Sequence, residues 1–314
     1  MAEKLASRFG FYQGLIEVAA THPDVVVVDA DLAKTTGSYA FEKAYPDRFI
    51  DVGIAEQNMI GFSAGLARSG LVPFCGSMAV FSAGRGFELI RNAVAYSSIN
   101  VKIIGSHGGI TAAGDGGSHQ CIEDIAIMRA LPNMVVLSPC DSEQARKLAH
   151  LMYGYKGPMY LRTSREPVEA VTTQYDEILI GKAQKLRSGK DVCIIATGMM
   201  TPLAVQAAKE LAAEGVESTL LNIHTIKPLD EEEILKESMA CQGRVLVCEE
   251  ANDMGGLTDA VARVLVGKPV QFDFVSVHDR FGQSGATEEL LHAYGITSDH
   301  IAEKAKALVQ KGCL

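Results

Sequence analysis

The chain has 314 residues, 47% of them hydrophobic, and a net charge of -9. At roughly 150 residues per domain this is enough for two domains with a sizeable core each. There is no basic tract and no aromatic-studded basic patch, which argues against nucleic acid as a main partner. No apolar run nears the ~20 residues of a membrane span, and Met1 to Arg8 lacks the charged-then-apolar pattern of a secretion signal. The seven cysteines are scattered, without a Cys-x-x-Cys pair or metal-ligand spacing. That usage suits reduced, mostly buried thiols in a cytoplasm.

In chain order, the apolar positions from Leu5 to Thr21 have helical spacing, and the valines of 25–29 predict a buried strand. A strand is expected over 48–52 and a helix over 56–69. A strand at 71–75 follows, then a helix over 83–97 and a strand at 101–105. A glycine-rich loop, His107 to Gln120, leads to a helix over 121–130. A strand at 134–138, a helix over 142–153 and a strand at 159–163 complete the first half. Strand and helix alternate, and the strands are apolar on both faces, which predicts a mostly parallel sheet covered by helices.

Residues 166–190 are polar and broken by Pro167, and read as a linker with room for one hairpin. The alternation then restarts: strands at 192–196, 218–223, 245–249 and 270–277, and helices at 202–214, 231–239 and 257–266. Asp230, Thr287 and Ser298 are expected helix caps. The fold class expected is therefore α/β in two domains, each a mostly parallel sheet flanked by helices. The domains span 1–165 and 191–314, the second being smaller.

Two stretches could carry chemistry. In Asp51-Val-Gly-Ile-Ala-Glu-Gln-Asn-Met59, Glu56 falls in the first turn of a helix that follows a strand. A carboxylate there can simply complement the helix dipole. It can equally be a group held at a strand end, where open α/β sheets bind ligands. The second stretch, Gly105 to Gln120, has six glycines, two histidines (His107 and His119) and Asp115. Glycines let a backbone approach a ligand closely, and two histidines with an aspartate in one loop at a strand end point to a site. Gly114-Asp-Gly116 resembles a magnesium–diphosphate motif. However, it runs straight into Ser118-His119-Gln120, and Asn133 stands in the wrong context to complete it, so no metal site is assigned.

Taken together, these stretches resemble the C-terminal part of the transketolases, in the thiamine diphosphate enzyme family. The matching residues are Val52-Gly-Ile-Ala-Glu-Gln-Asn-Met59, Phe81 before Ile90-Arg-Asn-Ala-Val94, and Gly114-Asp-Gly-Gly-Ser-His-Gln120. Leu131-Pro-Asn-Met134, Pro139-Cys-Asp141 and Phe281-Gly-Gln-Ser-Gly285 match as well. The resemblance covers nearly the whole chain. It implies a pyrimidine-binding domain followed by the transketolase C-terminal domain, as in one subunit of a split enzyme.

The resemblance also implies roles. Glu56 would hydrogen-bond the cofactor's aminopyrimidine ring, Phe81 would stack on it, and Asp31 would lie near it. Phe81 also reads as an ordinary core residue, and Asp31 as a turn residue after the first strand. His119 would contact the donor sugar near its reacting carbonyl, and Asp115 would read a hydroxyl. His107, Arg8, Arg165 and Thr35 would reach the substrate phosphate, work that suits the planar fork of arginine. On its residues alone Arg8 reads as a solvated group on an ordinary amphipathic helix. Arg85, Arg91 and Arg162 receive no role.

Departures from the family pattern are Gly114, where relatives commonly have glutamate, and Ser118, where they have threonine. The acidic pair Glu249-Glu250 stands where a histidine is often found before Gly-Gly. The implied activity is ketol transfer from a ketose phosphate to an aldose phosphate. Thiamine diphosphate would be the cofactor. Mg2+ would be held mainly by a partner subunit carrying the diphosphate-binding domain, in an α2β2 assembly. Two rivals share part of the pattern: the β subunit of a 2-oxo acid dehydrogenase and a non-catalytic regulatory subunit.

Overall fold

The structure, a computed structural model, describes residues 4–311. The chain opens with β1 (Leu5–Ala6), α1 (Ser7–Thr21), β2 (Val25–Asp29), α2 (Ala33–Thr36) and α3 (Tyr39–Ala44). β3 (Phe49–Asp51), α4 (Glu56–Arg68), β4 (Val72–Met78) and a helical stretch over 80–96 containing α5 (Phe87–Leu89) come next. β5 (Lys102–Ser106), α6 (Asp124–Arg129), β6 (Val135–Leu137), α7 (Ser142–Gly154) and β7 (Met159–Arg162) follow. The remainder runs through β8 (Pro167–Val168), β9 (Gln184–Arg187), β10 (Val192–Ala196), α8 (Met200–Ala213) and β11 (Ser218–Asn222). Then come β12 (Thr225–Lys227), α9 (Glu231–Ala240), β13 (Arg244–Asn252) and α10 (Leu257–Val264). β14 (Gln271–Val277), α11 (Thr287–Ala293) and α12 (Ser298–Gln310) end the series.

Two main sheets result. The larger has seven strands in the order β12-β6-β7-β5-β4-β2-β3, and the smaller has five in the order β14-β13-β10-β11-β9. All neighbours in the larger sheet are parallel except β12 on β6. In the smaller sheet only β9 is antiparallel. β2, β4, β5, β7, β10 and β11 are buried along their whole length, as expected of strands with helices on both faces. This confirms the α/β class with two parallel-dominated sheets. Among the described residues no helix is long and apolar enough to cross a membrane, and the six described cysteines are free and buried.

Several local expectations differ from what forms. The helix expected over 83–97 is wound as π-helix at Val80–Arg85 and Ile90–Tyr96, with one α turn between. The region between β2 and β3 holds two short helices that apolar periodicity does not announce. Residues 166–190 contain no hairpin. Their two strands go to different partners, β8 pairing with β1 and β9 joining the edge of the smaller sheet. β12, unexpected from the sequence, leaves the second half of the chain and closes the β6 edge of the larger sheet. Two caps are also shifted by one residue. Thr297, not Ser298, caps α12 by accepting from the His300 N–H. The N-cap of α11 is Ala286, whose N–H donates to Glu289. Asp230 caps α9 as expected.

α1 and α7 pack so closely that a Cβ on Gly10 would collide with the backbone of Ser142, and one on Gly14 with that of Arg146. Helix propensity alone would make Gly10→Ala stabilising by about 1 kcal/mol. The collision reverses the sign, because overpacking typically costs about 1–3 kcal/mol. Gly10→Ala is expected to lower the urea unfolding midpoint at an unchanged slope. A midpoint at or above wild type would show that the helices can part freely.

Candidate active site

Six parallel strands of the larger sheet end on one edge, and the residues singled out from the sequence follow those ends. Asp31 lies two residues after β2, Glu56 five after β3 and Phe81 three after β4. His107 directly follows β5, and Arg165 lies three after β7. The carboxyl edge of a parallel sheet is where such folds place ligands.

One group forms around Glu56. It opens α4 but does not cap it; the N-cap residue is Ala55, and no side chain caps the helix. Glu56 is 2% exposed, and its Oε2 accepts from Arg85 Nη1 at 3.1 Å. The Arg85 guanidinium lies over the Phe81 ring, 5.4 Å from its centroid. The His119 ring meets Phe81 edge-on at 5.4 Å and 84°. Phe81 is only partly buried, so it is not an ordinary core residue. Arg85 was not found from the sequence. The available signal was its spacing of four from Phe81 within one helical stretch.

A second group forms around His107, which is buried at a positive φ of 59°. Its Nδ1 pairs with Ser106 Oγ at 2.7 Å. Burial, helped by the charges of Arg8 and Arg165, lowers its pKa to about 3. The ring is therefore neutral at physiological pH. Arg8 donates to the carbonyl of Arg165. Its own pKa is lowered to about 10, by burial and then by Arg165, with Glu166 opposing. Arg165 Nη1 donates to the Ala112 carbonyl at 2.5 Å and pairs with Asp115 at 3.2 Å. Arg8 is thus not a freely solvated group on its helix.

Asp31 and Thr35 belong to neither group; they follow β2, which lies between β3 and β4 in the sheet. With Lys34, Tyr39, Glu42 and Asp51 they line an open cleft of about 560 Å³. Asp31 is exposed at a φ of 61°. Its turn is held by Asp29, whose carboxylate accepts from Leu32 N–H and Ser38 Oγ, both at 2.7 Å.

The glycines of the 105–120 loop do a different job from the one expected. Cβ atoms on Gly108, Gly109, Gly116 and Gly117 would collide with Arg162, Glu250, Ser284 and Gly282 respectively. Three of these four neighbours come from the second half of the chain. The close approach is therefore to protein. Gly114 alone among the loop's glycines has nothing within 4 Å of its would-be Cβ. The acidic pair is also accounted for. Glu249 accepts from the N–H groups of Leu257 and Thr258, both at 2.7 Å, and so caps α10 from a distance. Glu250 Oε1 accepts from Thr111 N–H at 2.8 Å. Among the described residues no group of three or more His, Cys, Asp or Glu is arranged to hold a metal ion.

A parallel sheet with a buried carboxylate and an aromatic ring at its carboxyl edge, followed by a second α/β unit, defines a two-domain α/β class of protein. The chain matches the family described as transketolase, pyrimidine binding domain, over residues 3–170, and transketolase, C-terminal domain, over residues 181–301. It belongs to the transketolase family. A putative transketolase C-terminal section from Methanocaldococcus jannaschii is 41% identical over 308 residues, covering 97% of this chain and 96% of the relative. A 6-deoxy-6-sulfo-D-fructose transketolase subunit from a Clostridium species is 41% identical over 298 residues, covering 95% and 92%. A solved structure described as a split gene transketolase, inactive beta4 tetramer, superposes with a TM-score of 0.89. It is 38% identical and covers 98% of this chain and 99% of its own.

Two predictions follow from this geometry. A histidine kept neutral in the fold, with an ordinary value near 6.5 when unfolded, contributes stability that is full above about pH 6.5. That contribution is lost as the pH falls towards about 3. The stability advantage of wild type over His107→Gln should shrink by about 2 kcal/mol between about pH 7 and about pH 5. A pH-independent difference in urea unfolding would mean that His107 is not buried as described. Gly114→Ala should stabilise the chain by about 0.4–1 kcal/mol, since it meets no neighbour and restricts the unfolded loop. A lowered melting temperature would contradict this.

Proposed function

We propose that this chain is the C-terminal subunit of a thiamine diphosphate-dependent transketolase of the cytoplasm. With a partner subunit it would transfer a two-carbon ketol unit from a ketose phosphate to an aldose phosphate. The observation that carries this reading is the buried Glu56 carboxylate beside the Phe81 ring, with His119 edge-on to that ring. The near full-length similarity to split and subunit members of the family supports it.

The residues present fit the pyrimidine end of the cofactor. A buried carboxyl oxygen can share a proton with a ring nitrogen, and a partly exposed aromatic face can stack on the ring. Among the described residues no cluster of three or more His, Cys, Asp or Glu could hold a metal ion. As the family resemblance implies, the diphosphate end of the cofactor is assigned to the partner, with the catalytic centre at their interface and α2β2 as the expected assembly. Bound thiamine diphosphate would supply the carbon nucleophile that carries the ketol unit.

This chain's residues then divide the work. Glu56 hydrogen-bonds the ring nitrogen, with Arg85 fixing the orientation of its carboxyl group. Phe81 positions the ring, and Asp31 borders its site. His119 contacts the donor sugar beside the bond that changes, and Asp115 reads a hydroxyl. Arg8, Arg165 and neutral His107 take the anionic end of the sugar, with Thr35 at its margin. Two guanidinium groups held close together by carbonyls and one carboxylate favour an anion. One relative is named for a sulfonated fructose, so a sulfonate is a reasonable alternative to phosphate at this end.

The test is purification of the tagged chain with its native partner. The complex is then assayed with thiamine diphosphate, Mg2+, ribose 5-phosphate and either xylulose 5-phosphate or 6-deoxy-6-sulfofructose as donor. Transfer should require both subunits. Glu56→Gln should lower kcat by on the order of 10²–10⁴-fold without releasing the partner. Turnover of pyruvate with a lipoyl acceptor, and none of either sugar, would replace this reading with a 2-oxo acid dehydrogenase subunit. Full activity in Glu56→Gln would remove the catalytic reading.

A further inference from the structure

The loop that carries His107, Asp115 and His119 leaves the larger sheet, but its shape is fixed from elsewhere. At its near end the Glu250 carboxylate, on β13 of the smaller sheet, accepts the Thr111 N–H at 2.8 Å. The backbone carbonyl of the same residue accepts from Arg162 Nη2 at 2.8 Å. At its far end the Gln120 side-chain amide donates to two carbonyls. One is Ala113 of the loop itself, at 3.2 Å, and the other is Gln283 of the second domain, at 2.9 Å. Glu250 and Gln120 are both buried, at 5% and 4% exposure. Between these two ties, Gly116 and Gly117 lie against Ser284 and Gly282, where any side chain would collide.

We propose that Glu250 and Gln120 are positioning residues. Through them the second domain clamps the 107–120 loop in the shape that presents its two histidines and aspartate to substrate. The substrate part of this statement rests on the function proposed above; the clamp itself is a property of the chain. The physical reason is the cost of leaving Thr111 N–H buried without an acceptor. A loop of this glycine content has many other shapes available once that tie is lost. Glutamine at position 250 keeps an amide oxygen where the carboxylate oxygen stands. It therefore separates loss of the hydrogen bond from loss of the charge.

Amide hydrogen exchange on the full-length chain reads the clamp directly. E250A should speed exchange at amides 108–120 by about tenfold or more, with β10 and β11 unchanged, and E250Q should restore rates to within about threefold of wild type. In the reconstituted enzyme E250A should raise the donor KM about tenfold, with the affinity for thiamine diphosphate held within about threefold. Unchanged loop exchange in E250A, or acceleration spread equally over β10 and β11, would overturn the proposal. Gln120→Ala tests the same loop from its other end if E250A does not fold. Faster exchange at 113–120 supports the clamp there, and wild-type rates overturn it. Faster loop exchange in a complex without transketolase activity would leave the clamp standing and remove only the function.

Discussion

The guanidinium of Arg162 is 5% exposed and lies at the end of β7, between the two sheets. It donates to the carbonyls of Cys121 and Glu250 at 3.2 and 2.8 Å, and its Nε approaches the buried Asp124 carboxylate at 3.5 Å. Burial works against its charge, but Asp124 and Glu250 outweigh that and hold it charged. Burying an ion costs several kcal/mol unless every partner is in place, so the surrounding elements have little freedom to shift. β7, α6, β13 and the start of the 107–120 loop are tied to one point. The approach of Gly108 to this side chain carries the constraint into the loop itself.

From that point outward the site divides into two chemistries. Around Glu56 there is one buried carboxylate, one cation and two rings. Around His107 there are two neighbouring arginines and a neutral imidazole. The Arg8 pKa is brought down to about 10, first by burial and then by the neighbouring Arg165 charge. The Asp115 carboxylate and the carbonyls of Ala112 and Arg165 balance that charge in part.

The frame was legible in the sequence because a run such as Val25 to Asp29 has one economical solution, a strand covered on both faces. Glu56, Phe81 and His119 were legible because they sit in distinctive stretches, and the structure brings these three into one cluster. Arg85 and Arg162 were not, because each acts across the fold. Arg162 had a signal all the same, a charge closing an otherwise apolar strand. The glycines of the 105–120 loop suggest freedom to meet a ligand, whereas five of the six answer to neighbouring protein. Only the tertiary contacts could distinguish those uses. The π-wound stretch over 80–96 and the placement of β12 depend on packing that no local period records.

β12 has a consequence for how the protein comes into being. It supplies the seventh strand of the larger sheet from residues 225–227, after α8 and β11 of the smaller domain have been made. During synthesis the first six strands therefore emerge with the β6 edge unpaired, its N–H and C=O groups open to any extended chain nearby. The sheet that carries Glu56 and Phe81 at its strand ends is finished only when the next domain is already taking shape. Folding of the two units is thus interleaved in time. A nascent chain stalled between residues 190 and 220 would present an open edge strand that chaperones would have to shield.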